Sequence, residues 1–170
     1  MTRIQLGLSF ACIGFLFTGA GCSSGPSLPS DLPDLKPCVI AVTQDGAPLD
    51  GATVMLKSAT ESQWFPGGQT DASGKVEIYT NGRYKGAPQG KYKIVVTKTE
   101  VDPSKLGPAP PDDSPGYGDW LEKSAAEVRH SYSLIEKQYT NVETTTLEID
   151  VAGGKTEKTV DVGKKVRDKI

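Results

Sequence analysis

Residues 91–97, with the sequence KYKIVVT, carry the clearest strand pattern in the chain. Tyr92, Ile94 and Val96 fall on one face of an extended segment, and polar or smaller residues alternate with them. A period of two predicts a β-strand that is buried on one face. The preceding residues 86–90, GAPQG, are typical of a turn that leads into this strand.

Several other short segments share this pattern. The segment nearest the N-terminus, residues 38–43, is mostly apolar, and the segments after it alternate apolar and polar residues. They lie at 38–43, 52–57, 76–80, 145–151 and 156–162, and a further short strand is expected near Trp64 in the loop 58–69. About six or seven strands separated by turns predict an all-β fold, an antiparallel sandwich.

Turn signals punctuate these strands. Asp45-Gly46 and Asn81-Gly82 are pairs that favour tight turns, and residues 70–75, TDASGK, place Asp71 to cap backbone N–H groups. Gly74 can take the positive φ that such a turn needs. Gly153-Gly154 predicts a hairpin that joins the last two strands.

Residues 99–137 form an insertion before this last hairpin. The insertion is proline-rich at first, and residues 119–130 then predict a short helix. We expect Asp119 to cap this helix and Leu121, Ala125 and Val128 to form its apolar stripe. Residues 164–170 are a charged tail, which we expect to be frayed and solvated.

Composition agrees with a turn-rich β protein. The chain has 170 residues with 19 glycines, 12 prolines and few aromatics, which suits one domain with a sizeable core. The net charge of −2 is too weak to indicate a nucleic-acid partner. Of the three cysteines, only Cys22 and Cys38 follow the leader, and lipidation of Cys22 would use its sulfur and leave Cys38 alone, so no intrachain disulfide is expected.

The N-terminus is typical of a targeting segment. Arg3 is followed by a mostly apolar run over residues 4–17 and by small residues up to Cys22. A helical run of this length spans roughly 21 Å, which is shorter than the ~30 Å hydrocarbon core of a membrane. Residues 1–21 therefore predict a signal peptide, and residues 22–37, rich in Ser and Pro, predict an extended tether.

The sequence Gly19-Ala20-Gly21-Cys22 resembles a bacterial lipobox, in which the cysteine is lipidated and becomes the mature N-terminus. This resemblance implies attachment to a membrane by acyl chains such as palmitate on Cys22. It also implies a location in the cell envelope, with the outer membrane or the periplasmic face favoured. The alternative is an ordinary secretory signal that is cut near Ala20 and leaves a free thiol.

Four motifs in the domain are similar to those of a known family. They are residues 45–54 (DGAPLDGATV), 70–76 (TDASGKV), 86–94 (GAPQGKYKI) and 135–141 (IEKQYTN) followed by 144–147 (TTTL). The first three resemble carboxypeptidase regulatory-like (transthyretin-like) domains, and the last resembles the closing segment of small bacterial lipoproteins, many of them planctomycete, built on that domain.

The resemblance implies a seven-stranded prealbumin-like sandwich over residues 38–163, with residues 99–137 inserted. It implies no enzymatic activity, because the catalytic zinc site of carboxypeptidases lies on a separate domain. No catalytic residue, metal ligand or cofactor-binding residue is carried over to this chain.

Some single residues have side chains that could carry chemistry. His130 is the only histidine, and no further ligands stand at the spacing of a zinc-binding motif. Its other possible role is to pair with the thiolate of Cys38. The acids Asp112, Asp113, Asp119 and Glu122 could bind calcium, although their spacing is also typical of a solvated loop.

Exposed aromatic side chains are the candidates for partner binding. Trp64, Phe65, Tyr117 and Trp120 lie in loops or in the insertion, where they could form a platform for a sugar or a peptide. The alternative is that aromatics of the insertion, Trp120 and Tyr139 above all, pack against an edge of the sandwich.

These features predict a non-catalytic, lipid-anchored envelope protein whose sandwich is a binding or structural module. Its expected partners are the membrane, through the acyl chains, and an envelope protein or glycan. The alternatives are an accessory subunit of an enzyme and a small-ligand carrier with a transthyretin-like fold.

Overall fold

A computed structural model of the protein describes residues 28–60 and 62–170. The chain divides into two units, residues 1–32 and residues 33–170. In the described part of the first unit, the Leu32 N–H donates to the Pro29 carbonyl at 3.1 Å and closes a turn. The predicted leader, Cys22 and residues 22–27 of the tether lie outside the described residues.

The second unit is mostly β. Its described residues form short strands, one α-helix and one turn of 3₁₀ helix at Lys137–Tyr139. The elements are β1 (Leu35–Lys36), β2 (Cys38–Gln44), β3 (Ala47–Pro48), β4 (Thr53–Ser58), β5 (Pro66–Gln69), β6 (Lys75–Glu77), β7 (Tyr79–Thr80), β8 (Tyr84–Lys85), β9 (Ala87–Pro88), β10 (Gly90–Thr97), β11 (Thr99–Val101), α1 (Tyr117–Ala126), β12 (Ser131–Ser133), β13 (Glu148–Val151), β14 (Thr156–Asp161) and β15 (Asp168–Lys169).

The larger sheet has six strands in the order β13-β10-β4-β5-β7-β8. Its centre is the antiparallel pair β4 and β10, with Ile94 opposite Leu56 and Val96 opposite Val54. These four side chains are buried on one face, as the period-two pattern predicts. The strand expected near Trp64 begins two residues later, at Pro66.

The second sheet is centred on β2. This strand pairs with β14 on one side and with β3 and β6 on the other. Along β2 the side chains of Cys38, Ile40 and Val42 are buried, and the residues between them are half-buried. Asp45 and Gly46 both have positive φ in the turn between β2 and β3, which confirms the tight turn predicted there.

One hydrophobic core lies between these two sheets. It combines inward side chains of β2, β6 and β14 with those of β4, β10 and β13. Ile40, Ile94 and Val151 are examples from the two layers, and all three are essentially inaccessible to water. The all-β sandwich predicted from the sequence is therefore the observed architecture.

The prediction of a hairpin at Gly153-Gly154 is wrong. β13 pairs antiparallel with β10 in the larger sheet, whereas β14 pairs in parallel with β2 in the second sheet. Residues 152–155 therefore cross from one layer to the other. The physical reason is that Ile149 of β13 and Val160 of β14 bury against the same core from opposite sides.

The helix of the insertion also differs from its prediction. α1 begins after Gly116, so Asp119 lies in its first turn and makes no capping hydrogen bond. No residue of α1 is buried, and Leu121 and Val128 of the expected stripe stay exposed. The insertion is held mainly by polar contacts instead: Glu127 accepts hydrogen bonds from Ser104 Oγ and from the backbone N–H of residue 105, both at 2.6 Å.

The expectation of a frayed tail over residues 164–170 is wrong too. β15 pairs with β12, which in turn pairs with β11, so the C-terminal segment completes a three-stranded sheet with the insertion. The Arg167 guanidinium lies 3.5 Å from the centre of the Tyr132 ring and 2.9 Å from Asp102 Oδ1. Stacking on an aromatic ring and pairing with a carboxylate order this segment.

Candidate functional site

An open cavity of about 700 Å³ lies beside β13, at the edge of the larger sheet. Tyr92 and Ile149, both buried, contribute apolar surface to it, and Val142 adds a partly exposed side chain. Lysines from β4, β10 and β14 and acids of β13 form its charged lining. The cavity thus combines an apolar floor with charges of both signs, an arrangement suited to binding rather than to packing alone.

A second cavity, of about 610 Å³, adjoins the first. Lys57 and Ser58 at the end of β4 line both. The rest of the second lining comes from the loop that follows β4 and includes Trp64 and Phe65. The two cavities meet at these shared residues at the end of β4, and we refer to them together as the β4–β13 recess.

Local hydrogen bonds hold the loop around the second cavity. Ser58 Oγ and Thr60 Oγ1 are 3.1 Å apart, and Ser62 Oγ accepts a bond from the Trp64 N–H. Asn81, in the turn between β7 and β8, accepts the Phe65 N–H through Oδ1 at 2.8 Å. These short-range bonds favour a fixed loop conformation, as serine, threonine and asparagine commonly do in turns.

Phe65 and Trp64 face different environments within this loop. The Phe65 side chain is 61% exposed, and the Lys57 ammonium group lies 5.8 Å from the centre of its ring. Trp64 is half-buried and packs edge-on against Tyr84, with ring centres 6.4 Å apart. Phe65 is therefore the more accessible aromatic surface of the two.

Tyr117 and Trp120 form a separate pair in the insertion. Their rings are stacked at 6.5 Å, and the Trp120 indole N–H donates to the Gly107 carbonyl at 3.1 Å. Ring contacts of the described residues do not connect this pair to Trp64 or Phe65. The four aromatic candidates thus lie in two groups rather than on one platform.

The prediction that insertion aromatics pack on the sandwich is confirmed for Tyr139, which is partly buried against the core. Trp120 behaves differently, because it packs within the insertion.

Sequence reasoning missed the residues that shape the β4–β13 recess. Lys91 and Lys93 of β10 lie directly opposite Asp150 and Glu148 of β13. The alternation of charges on both strands is visible in the sequence, but it shows only that these side chains share the outer face. The pairing of β13 with β10 brings them together.

The titratable groups considered from the sequence are placed apart from one another. Burial raises the pKa of the Cys38 thiol to about 11, and this residue belongs to the core. His130 is half-buried beside β12, where its carbonyl accepts the Asp102 N–H. Asp112, Asp113, Asp119 and Glu122 are exposed, and within residues 28–60 and 62–170 no cluster of acids, histidines or cysteines is arranged to hold a metal ion.

Comparison of the chain with protein-family models, with curated proteins and with solved structures gives no match. The resemblance to carboxypeptidase regulatory-like domains therefore stays a prediction from the sequence motifs. In the part of the chain that the structure describes, no helix has the length and apolarity needed to cross a bilayer.

Proposed function

We propose that this protein is a non-catalytic, lipid-anchored component of a bacterial cell envelope, whose β-sandwich binds a partner through loops and strand edges. We also propose that its sandwich is an elaborated form of the seven-stranded prealbumin-like arrangement found in carboxypeptidase regulatory-like domains. The observation that carries the proposal is the order of segments: a leader, Cys22, a Ser/Pro-rich tether and then one compact sandwich.

The anchor follows from the N-terminal sequence. Acyl chains on Cys22 would each contribute about 0.8 kcal/mol per buried methylene, and more than one chain gives stable attachment. The polar, proline-rich residues after Cys22 favour an extended spacer, which would let the folded domain stand clear of the bilayer.

A binding role is supported by the β4–β13 recess. It joins two open cavities at the end of β4, and exposed Phe65 lies at one of them with Lys57 beside its ring. An accessible aromatic ring next to a cation and several hydroxyl groups suits contact with a sugar or a peptide side chain. The partner class proposed here is an envelope protein or a glycan.

The absence of catalysis is supported by the roles that the reactive side chains already have. Cys38 packs in the core with its thiol protonated at neutral pH. Glu127 holds the insertion loop, and hydrogen bonds from Ser104 and the residue 105 N–H lower the pKa of its carboxyl. Asp71 is likewise engaged by Ser73 and Lys75 in a turn.

Mass spectrometry of the mature protein from its native membrane tests the anchor. We expect a chain that begins at Cys22 and carries acyl groups, and we expect Cys22→Ser to release the protein into the soluble fraction. A wild-type chain that begins elsewhere, or that has an unmodified thiol and washes off membranes with salt, would refute the anchor.

Photo-cross-linking in intact cells tests the recess. A photoreactive phenylalanine analogue at position 65 should capture an envelope protein or glycan, and the same analogue at Val128, an exposed apolar residue that lines neither cavity, serves as the matched control. Equal capture from both positions, or capture from neither, would contradict a binding role for the recess.

A further inference from the structure

β13 is an edge strand of the larger sheet. Among residues 28–60 and 62–170, β10 is the only strand paired with it, and Glu148, Ile149 and Asp150 also help to line the open cavity that extends over β10 to the end of β4. An open strand edge presents backbone donors and acceptors that another extended chain can pair with.

Alternate residues of β13 point their backbone N–H and C=O groups toward this open side. Leu147 accepts a hydrogen bond from the Ile94 N–H, and Ile149 pairs with Tyr92 in the same register. In an antiparallel ladder, hydrogen-bonded pairs alternate with residues whose N–H and C=O point away. Glu148 and Asp150 therefore direct their backbone groups to the open edge.

The side chains of β13 define the chemistry of a strand that would pair there. Glu148 and Asp150 are exposed on the outer face, whereas Ile149 is buried on the inner face. A paired strand places its own outer side chains directly opposite the two acids, where opposite charges stabilise and like charges destabilise. Its inner side chains would lie beside Ile149 and Tyr92, which pack in the core and also line the cavity.

Other charges near the edge sharpen this selectivity. Lys158 of β14 also lines the cavity and falls on the same face of its strand as buried Val160, so a cation at an inner position of the added strand would be repelled. Glu143 adds a third acid to the same lining. Lys91 and Lys93 lie opposite Asp150 and Glu148 on the β10 side, and Lys57 lines the cavity beyond them. An added strand would meet the two acids from their other side, where basic residues on its outer face and apolar residues on its inner face match the edge.

The same acids disfavour pairing between two copies of β13. An antiparallel pair centred on Ile149 would place Glu148 of one copy opposite Asp150 of the other, so each row would bring like charges together. Charged residues on edge strands commonly protect against such self-association. The edge therefore disfavours a second copy of the chain relative to a foreign basic strand.

We propose that the open edge of β13 binds an extended segment of a partner protein, in which basic and apolar residues alternate, by adding it as a seventh strand to the larger sheet. The proposal rests on the binding role proposed above and names the class of partner. The peptide contributes main-chain hydrogen bonds to Glu148 and Asp150, and its alternating side chains provide the specificity.

An acetylated, amidated octapeptide of alternating Lys and Val is the probe, with the full chain kept in non-ionic detergent. By NMR, we expect the peptide to slow amide hydrogen exchange at Glu148 and Asp150 and to leave Ile149, already bonded to β10, little changed. The double variant Glu148→Gln/Asp150→Asn should bind roughly tenfold more weakly. Glu122→Gln, which neutralises an exposed acid on α1, should bind as the wild type does.

Two control peptides make the outcome independent of whether the double variant folds. A Glu/Val octapeptide should not bind, and a Lys/Val peptide methylated on alternate backbone nitrogens should lose binding if main-chain pairing is required. The proposal is overturned if the Lys/Val peptide fails to bind or protects amides elsewhere. It is also overturned if Glu148 and Asp150 become protected without peptide as protein concentration rises, because the occupant is then a second copy.

None of these outcomes bears on the acyl anchor at Cys22 or on cross-linking at Phe65. A negative peptide result therefore refutes the β13 proposal while leaving the proposed function to its own tests.

Discussion

Buried threonines show how single residues keep this small sandwich compact. Thr70 Oγ1 donates to the Leu49 carbonyl at 2.6 Å and accepts the Ala52 N–H at 2.8 Å. Thr80 and Thr145 donate in the same way to the carbonyls of Gly86 and Ile94. A buried hydroxyl without a partner costs free energy, so these bonds allow polar side chains inside the core. They also connect loops to strands at points where the ladder itself ends.

Cys38 is the residue whose chemistry the fold changes most. Its pKa rises from 9.0 to about 11 because burial disfavours the thiolate. The thiol ionises at a lower pH in the unfolded chain than in the folded protein. Its contribution to the free energy of unfolding is therefore complete below pH 9.0 and is lost as the pH rises toward about 11. We expect Cys38 in the folded protein to resist a maleimide at about pH 8 and to react once the chain is unfolded.

Peptide mapping of the labelled protein measures the reactivity of Cys38. Urea unfolding between pH 9.0 and about pH 11 measures how the free energy of unfolding changes. Burial also raises the pKa of Tyr92, so Cys38→Ala serves as the control that isolates the contribution of the thiol. Rapid labelling of Cys38 in the native protein would contradict its buried position.

At the scale of elements, the turn over residues 71–75 explains how β6 reaches its register. Asp71 Oδ1 accepts hydrogen bonds from the Ser73 N–H, the Ser73 hydroxyl and the Lys75 N–H, and these bonds lower the pKa of its carboxyl. Gly74 has a φ of +73° and its carbonyl accepts the Val42 N–H at 2.8 Å. The turn is therefore tied to β2 directly, and β6 pairs with β2 immediately after it.

A pair of glycine substitutions tests this account of the turn. Gly46→Ala should cost about 1–2 kcal/mol, because its positive φ is strained for alanine but nothing lies within 4 Å of the new Cβ. Gly74→Ala should cost more than that, because its Cβ would approach the Val42 carbonyl oxygen to 2.6 Å in addition to the φ strain. Chemical unfolding measures the free energy of unfolding of both variants. Equal decreases would show that the close approach to the Val42 carbonyl oxygen adds no cost at position 74.

On the scale of the whole molecule, the C-terminal segment connects the insertion to the sandwich. Glu136 accepts the Lys164 N–H at 2.8 Å, and Asp45 accepts the Lys165 N–H at 2.9 Å. Arg167 then contacts Tyr132 of β12 and Asp102, the residue that follows β11. Residues 164–170 therefore act as a strap between parts of the second unit that are distant in sequence.

Limited proteolysis tests the strap. Arg167→Met removes the charge and the planar group while keeping a long side chain, so we expect faster cleavage within residues 164–170 and within the insertion. Arg167→Lys should give an intermediate rate, because lysine keeps the charge but cannot stack in the same way. Lys123→Met, on exposed α1, is the matched control. Unchanged cleavage in Arg167→Met would mean that the strand pairing of β15 alone holds the segment.

Local chemistry made several features predictable from the sequence. The period-two pattern of residues 91–97 identifies β10 because alternation on a strand follows from backbone geometry alone. Asp45-Gly46 and the Asp71–Gly74 turn are also determined locally, because they depend on positive φ and on side chains that bond to nearby backbone groups. The aromatic candidates for partner binding could also be identified from the sequence, because they are large apolar residues among polar loop residues.

The sequence alone specifies short strands and tight turns, and it predicts a leader over residues 1–21. Which strands become neighbours depends on the folded domain: the Gly153-Gly154 connection crosses between layers, and β13 has an open edge among the residues that the structure describes. The tail over residues 164–170 likewise gained its order from Tyr132 and Asp102, which lie more than thirty residues earlier. Alternation and turn chemistry act over a few residues, whereas strand order depends on which apolar faces bury together across the whole domain.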